Sequence, residues 1–210
     1  MLALALALFA GVTVIGVGLV WLRGPALLAL GLAGVALGWA YSAPPCKLNS
    51  RGLGELTVAL TFYGVPLGMA LVAGGQVSPA LAWASVSQAL LITALLYVNQ
   101  FPDRRADALA GKRHWVVRLP LGGAVAGHAL LLAAAYGWLA LGLGLGRLPM
   151  AAALGLFTLP LSLRAALQLG RHADTPSRLR PAIIATLLAA NLHPVCLAVG
   201  LAHAAYFTGN

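Results

Sequence analysis

Residues 78–107, SPALAWASVSQALLITALLYVNQFPDRRAD, pass from a run without any charged side chain into a segment holding two of the chain's four acids. At about 1.5 Å per residue, the apolar part, 78–98, is long enough to cross the hydrocarbon core of a bilayer as a helix. The polar part, Asn99-Gln-Phe-Pro-Asp103-Arg-Arg-Ala-Asp107, places an oxygen-bearing side chain at every fourth position. Steps of four on a helix drift by roughly 40°, so Asn99, Asp103 and Asp107 are expected to form one stripe about 12 Å long. Two carboxylates at that spacing repel, and more so beside a membrane. A hard cation such as Mg²⁺ is the natural partner for them.

Outward from this stretch the chain keeps the same character. Its 210 residues are 61% hydrophobic and 8% charged, with a mean hydropathy of +0.92. Soluble domains carry about 25% charged residues, so the composition implies an integral membrane protein. The apolar runs are too numerous for a leader followed by a soluble domain. They lie near 2–22, 25–41, 53–74, 78–98, 121–145, 148–169 and 181–205. Continuous runs rich in Leu and Ala, without alternation, exclude a β-barrel. The expected fold is an all-α polytopic bundle of seven spans forming one domain over 1–210. Gly64, Pro66 and Pro160 fall inside spans, where they are tolerated as kinks.

The net charge of +9 is spread over short loops, which suits membrane topology and anionic ligands and argues against nucleic acid. Lys47, Arg51, Arg104, Arg105, Lys112, Arg113, Arg118, Arg171, Arg178 and Arg180 fall on one side of the spans. Arg23 and Arg147 fall on the other. The positive-inside bias makes the first side cytoplasmic, and all four acids lie on or near it. The expected location is the inner membrane of a bacterium, with the polar chemistry facing the cytoplasm.

Three loops share that face. The first, Tyr41-Ser-Ala-Pro-Pro-Cys-Lys47-Leu-Asn-Ser-Arg51-Gly-Leu-Gly-Glu55, stops a helix with its Pro-Pro pair and re-enters through glycines. The second, 99–120, carries the acidic stripe and then Ala110-Gly-Lys112-Arg113-His-Trp-Val-Val-Arg118. The third, 171–180, is basic and has no recognisable pattern. Carboxylates for Mg²⁺ beside Lys and Arg donors suit a diphosphate, since Mg²⁺ prefers one or two carboxylates plus phosphate oxygens. A diphosphate at a membrane-embedded mouth suggests a polyprenyl diphosphate with its tail among the apolar helices. The plainer reading of Asp103 and Asp107 is a salt-bridged interfacial loop with Arg104 and Arg105. Pro102 also disfavours a regular helix through the stripe, although proline can open one. Glu55 reads as a helix-dipole partner and Asp174 as a solvated loop residue. Of the five histidines only His114 lies where it could join the site. Cys46 and Cys196 show neither metal-ligand nor disulfide-framework spacing.

On the Tyr41–Glu55 and Asn99–Leu119 blocks the chain resembles the UbiA-type intramembrane prenyltransferases, and among them the 1,4-dihydroxy-2-naphthoate polyprenyltransferases. The resemblance implies Mg²⁺-dependent transfer of a polyprenyl group from polyprenyl diphosphate to an aromatic quinone precursor, in menaquinone synthesis for that subfamily. It implies metal binding by Asn99, Asp103 and Asp107, with the two aspartates central to catalysis. It implies diphosphate contacts from Lys47, Arg51, Lys112 and Arg113, with Tyr41 at the mouth. His114, Trp115 and Pro120 depart from the subfamily's usual residues, which bears on the acceptor. The family has about nine spans and an earlier Asn-xxx-Asp-xxx-Asp motif, whereas no acid precedes Glu55. The expectation is therefore a domain incomplete at its N-terminus and inactive in prenyl transfer by itself. Prenyl transfer to a different aromatic acceptor, a cation transporter or a non-catalytic membrane scaffold are the alternatives. A transporter would place ionisable groups at mid-membrane, and here the spans are nearly free of charge.

Overall fold

Residues 2–208 are described by a computed structural model. Nine α-helices follow in chain order among these residues: α1 (Leu2–Arg23), α2 (Ala26–Ser42), α3 (Gly54–Val72), α4 (Pro79–Asn99), α5 (Arg104–Leu109), α6 (Trp115–Arg118), α7 (Leu121–Gly144), α8 (Leu159–His172) and α9 (Arg180–Thr208). A 3₁₀ segment, Met150–Thr158, leads directly into α8. Each expected span is met by a helix with ends within a few residues, and the fold is an all-helical polytopic bundle. Among the described residues five rods are long and apolar enough to cross a membrane: α3, α4, α7, the combined Met150–His172 and α9. The stretches Ala7–Arg23 and Ala26–Ser42 are the shorter apolar helices.

Local chemistry accounts for the boundaries. Ser78 caps α4, its hydroxyl accepting from the Leu81 N–H at 3.1 Å, and Pro79 sits in the first turn where no intrahelical N–H is needed. The pair Pro44–Pro45 lies just past the end of α2, where rings that lack an N–H cannot extend a helical ladder. The sixth span is not the uniform α-helix with a kink that its hydropathy suggests. Its first nine residues are 3₁₀, and Pro160 then occupies the opening turn of α8. A 3₁₀ run of that length is uncommon and needs outside support.

That support comes from α9. Gly200 lies so close to the Ala151 carbonyl and Ala152 that a β-carbon there would run into backbone. Between lipid-facing helices the hydrophobic effect is absent, so close packing and interhelical hydrogen bonds hold the bundle. The fully buried His193 on α9 bonds Ser87 of α4 through Nε2 at 2.9 Å. Its Nδ1 lies 3.1 Å from both the Thr158 hydroxyl and the Gly155 carbonyl. Tyr136 of α7 joins the same network through Thr158 and Ser162, at 2.9 and 2.8 Å. Toward the other end of α4 and α7, away from the long 99–120 connection, Trp83 and Trp138 stack at 4.4 Å. Each indole N–H donates to the other's backbone carbonyl. Gly142 makes room for the Trp83 ring.

Candidate functional site

The first two loops are stitched together by backbone acceptors. Arg113 N–H donates to the Ser50 carbonyl at 2.8 Å, and the Arg118 guanidinium donates to the Arg51 carbonyl at 2.8 Å. Gly52, at φ +79°, lies between them, and a β-carbon there would press on Arg113 and Arg118 at 3.3 Å. This is a position where glycine is needed for both its dihedral and its lack of bulk. Arg104 braces the second loop from within, donating to the carbonyls of Val116 at 2.8 Å and Leu119 at 2.9 Å. The start of α9 closes the same end: Leu179 is buried with Tyr97, Val98, Phe101, Val116 and Leu169. All three loops anticipated on one face therefore gather at one end of the bundle.

The acidic stripe does not form. Helix α4 ends at Asn99, and α5 begins only at Arg104, because Pro102 lacks the N–H and space to continue the ladder. Asn99 turns its amide N–H back to the Leu95 carbonyl at 2.9 Å. Asp103 is exposed at the N-cap of α5 and makes no capping bond. Asp107, one turn further on, is clamped: Lys112 Nζ lies 2.7 Å from one carboxylate oxygen and His114 Nε2 lies 3.0 Å from the other. Partial burial pushes the Asp107 carboxyl up, but the bonds from Lys112 and His114 outweigh it and hold it below its ordinary value of 3.8. His114 is itself buried, with Nδ1 unpartnered.

A feature missed in the sequence sits beside this clamp. Glu55, in the first turn of α3, is only 8% exposed. One of its oxygens accepts from the Gln100 amide N–H at 3.1 Å, and the other has no partner. The Tyr41 ring packs beside Gly54, next to Glu55. Tyr41, Glu55 and Gln100, with the Asp107–Lys112 loop joined through the Arg113–Ser50 bond, gather as a polar mouth at one end of the bundle. A helix-dipole role is compatible with the position of Glu55 but does not account for its burial. Lys47, in a left-handed backbone conformation with φ 43°, is exposed, as are Arg51 and Arg113. Among the described residues none of the three forms an ion pair.

For Mg²⁺ the carboxylates of Asp103 and Asp107 are donors of the right type, hard oxygens, but among the described residues no group of three or more His, Cys, Asp or Glu is gathered that could hold a metal ion. Asp103 is uncommitted, and Asp107 is charge-balanced by a lysine that a metal could replace. Neither carboxylate lines a described cavity. One cavity, of about 390 Å³, is apolar and lies between α1, α2 and α3, with Leu30, Gly34, Leu60 and Gly64 in its wall. Another, of about 270 Å³, lies between α8 and α9 beside Arg164 and Arg180.

The UbiA prenyltransferase family matches residues 2–190. A 2-carboxy-1,4-naphthoquinone phytyltransferase of Synechocystis sp. is 30% identical over 172 residues, 78% of this chain and 53% of that protein. A UbiA prenyltransferase domain-containing protein 1 of Dictyostelium discoideum is 37% identical over 86 residues, 40% of this chain and 26% of that protein. The chain thus spans about half the length of the first relative and about a quarter of the second. No solved structure matches it significantly. The chain belongs to the UbiA prenyltransferase family.

Proposed function

Proceeding from that membership, we propose that the protein serves Mg²⁺-dependent transfer of a polyprenyl group from polyprenyl diphosphate to an aromatic acceptor of the dihydroxynaphthoate class. The polar mouth would face the cytoplasm, on the argument from the distribution of Lys and Arg. The observation that carries the reading is the stitching of the Tyr41–Glu55 loop onto the 99–120 loop, which carries the Asp107–Lys112 pair. The naphthoquinone phytyltransferase likeness supports the class of acceptor.

In this reading Asp103, Asp107 and the Asn99 amide oxygen would hold the metal, which supplies electrostatic stabilisation to the departing diphosphate. Lys112 would turn from Asp107 to the phosphate oxygens, so this partly exposed pair would free a carboxylate for the metal and an ammonium for the phosphate without a change in net protein charge. Lys47, Arg51 and Arg113, exposed on the same rim, neutralise the remaining phosphate charge. His114 keeps the second Asp107 oxygen oriented. The apolar cavity between α1, α2 and α3 offers the isoprenoid tail a surface free of charge.

The test is binding of labelled geranylgeranyl thiodiphosphate to the purified chain in lipid nanodiscs, with and without Mg²⁺. Asp103→Ala and Asp107→Ala are expected to weaken the Mg²⁺-dependent part at least about tenfold, the loss of a charge-assisted contact. Asp174→Ala, at an exposed position between α8 and α9, is expected to leave it unchanged. Equal, Mg²⁺-independent binding by all three variants would remove the basis for the proposed site.

A further inference from the structure

Resting on the transferase reading, we infer that Glu55 and Gln100 form the anchor for a hydroxyl group of the aromatic acceptor. The residues reach each other across 45 positions of sequence, from the first turn of α3 and the residue that caps the end of α4. Their shared bond uses one Glu55 oxygen and the Gln100 amide N–H. It leaves Glu55 Oε2 and Gln100 Oε1 buried without partners, and the Tyr97 hydroxyl, 3% exposed as a residue, is equally unpartnered. Buried polar atoms are nearly always paired, and an orphan carries its full desolvation penalty. Two orphans on one bonded pair mark a position that something else completes; the Tyr97 hydroxyl lies against Gly127 of α7 instead.

The chemistry of the orphans narrows what that is. Both are pure acceptors, so the missing group must bring protons to donate. Reversing the Gln100 amide cannot repair the arrangement, because Glu55 would then lose its only donor. A divalent cation fits less well: a single carboxylate lies here, with one amide oxygen beside it. The sign of Glu55 requires the group that touches it to be uncharged, so a carboxylate on the same ligand must point away from it. A neutral aromatic hydroxyl can donate to Glu55 Oε2 while its ring lies toward Tyr41, whose own ring packs beside Gly54 at the start of α3. Asp107 and Lys112 belong to the loop that the Arg113–Ser50 bond joins to this one. The acceptor would thus be held next to the diphosphate end of the donor, where the new carbon–carbon bond forms.

The experiment uses the purified chain in nanodiscs under anaerobic conditions. Its probes are 1,4-dihydroxy-2-naphthoate and its 1,4-dimethoxy counterpart, which has no ring hydroxyl to donate. The parent is expected to bind the dihydroxy compound at least about tenfold more tightly than the dimethoxy one, because a site built to pair a hydroxyl rejects its blocked analogue. Glu55→Gln is expected to abolish that preference while leaving Mg²⁺-dependent binding of geranylgeranyl thiodiphosphate intact. Gln100→Met provides a second variant, expected to lower the preference less. Binding of the dihydroxy compound that is equal in parent and Glu55→Gln overturns the inference, as does no binding by the parent. So does Mg²⁺ alone binding at this site, seen as Mg²⁺ affinity lost in Glu55→Gln. Retained thiodiphosphate binding in any of these outcomes leaves the transferase reading standing.

Discussion

Helices α2 and α4 read alike in hydropathy, yet no residue of α2 is buried whereas α4 buries nine. The contrast extends to whole regions. The exposed side of the first three helices includes Val14, Trp21, Trp39 and Met69. The remaining long helices enclose His128 and His193, both fully buried, together with Ser87, Thr158, Ser162 and Thr186. Apolarity takes a segment into lipid but does not choose its neighbours, because a lipid tail is as good a partner for leucine as another helix is. Small residues that admit a second backbone and polar side chains that need a partner make that choice. In α2, Gly31, Gly34 and Gly38 face open space. In α9, Gly200 faces the backbone of the 3₁₀ segment.

The sharpest way to break this comparison is to add bulk to a glycine in each region. Gly200→Val is expected to cost about 3 kcal/mol or more, since the obstructing atoms are backbone and cannot rotate away. Gly31→Ala, with nothing within 4 Å of the added carbon, is expected to stay within about 0.5 kcal/mol of the parent. Thermal unfolding in matched detergent measures both. Similar losses would mean that the two regions are held by the same kind of contact.

A smaller effect is expected where the polar network is opened. His193→Leu removes the side chain joining α4, α9 and the 3₁₀ segment. Ser87 keeps the Ala135 carbonyl and Thr158 keeps the Gly155 carbonyl as acceptors. The expected cost is therefore at the lower end of about 1–3 kcal/mol for a disrupted buried hydrogen bond. Hydrogen exchange should rise first in 150–158, and a uniform rise across the bundle would contradict a local role.

The smallest expected effect concerns the mouth, where the two regions meet. The Asp107 carboxyl titrates below 3.8 in the folded protein, so its clamp stabilises the fold fully above that ordinary carboxylate value. The contribution falls away as pH drops through the lower folded value. Unfolding followed between about pH 3 and pH 7 should show the parent losing an advantage over Asp107→Asn only at the acid end. A constant difference across the range would show that the carboxylate's charge is not what matters.

Much of this was legible from residue order. The seven apolar runs were readable because a span must be long, continuous and nearly uncharged, whatever it later touches. The gathering of loops at one end follows from alternating spans. Pro102 carried the signal that the acidic stripe would break, yet four-residue spacing alone suggested an unbroken helix. The environment of Glu55 was beyond reach: its position in a first turn reads as a dipole effect, and nothing local points to Gln100. Similarly, His193 and Ser87 look like isolated polar residues until α4 and α9 are laid together.

By itself, then, the amino-acid order determined the family, the membrane-spanning class and which segments become helices. These rest on local composition and on motifs that need no partner to be read. Only the tertiary structure decided which apolar helices form the core, that Asp107 is clamped by Lys112 and His114, and that Glu55 is buried with an unpaired oxygen. The core and the Glu55 pair depend on groups distant in the chain meeting across helices, the latter at 3.1 Å, where water is scarce. The Asp107 clamp depends on the turn after α5 folding Lys112 and His114 back onto it.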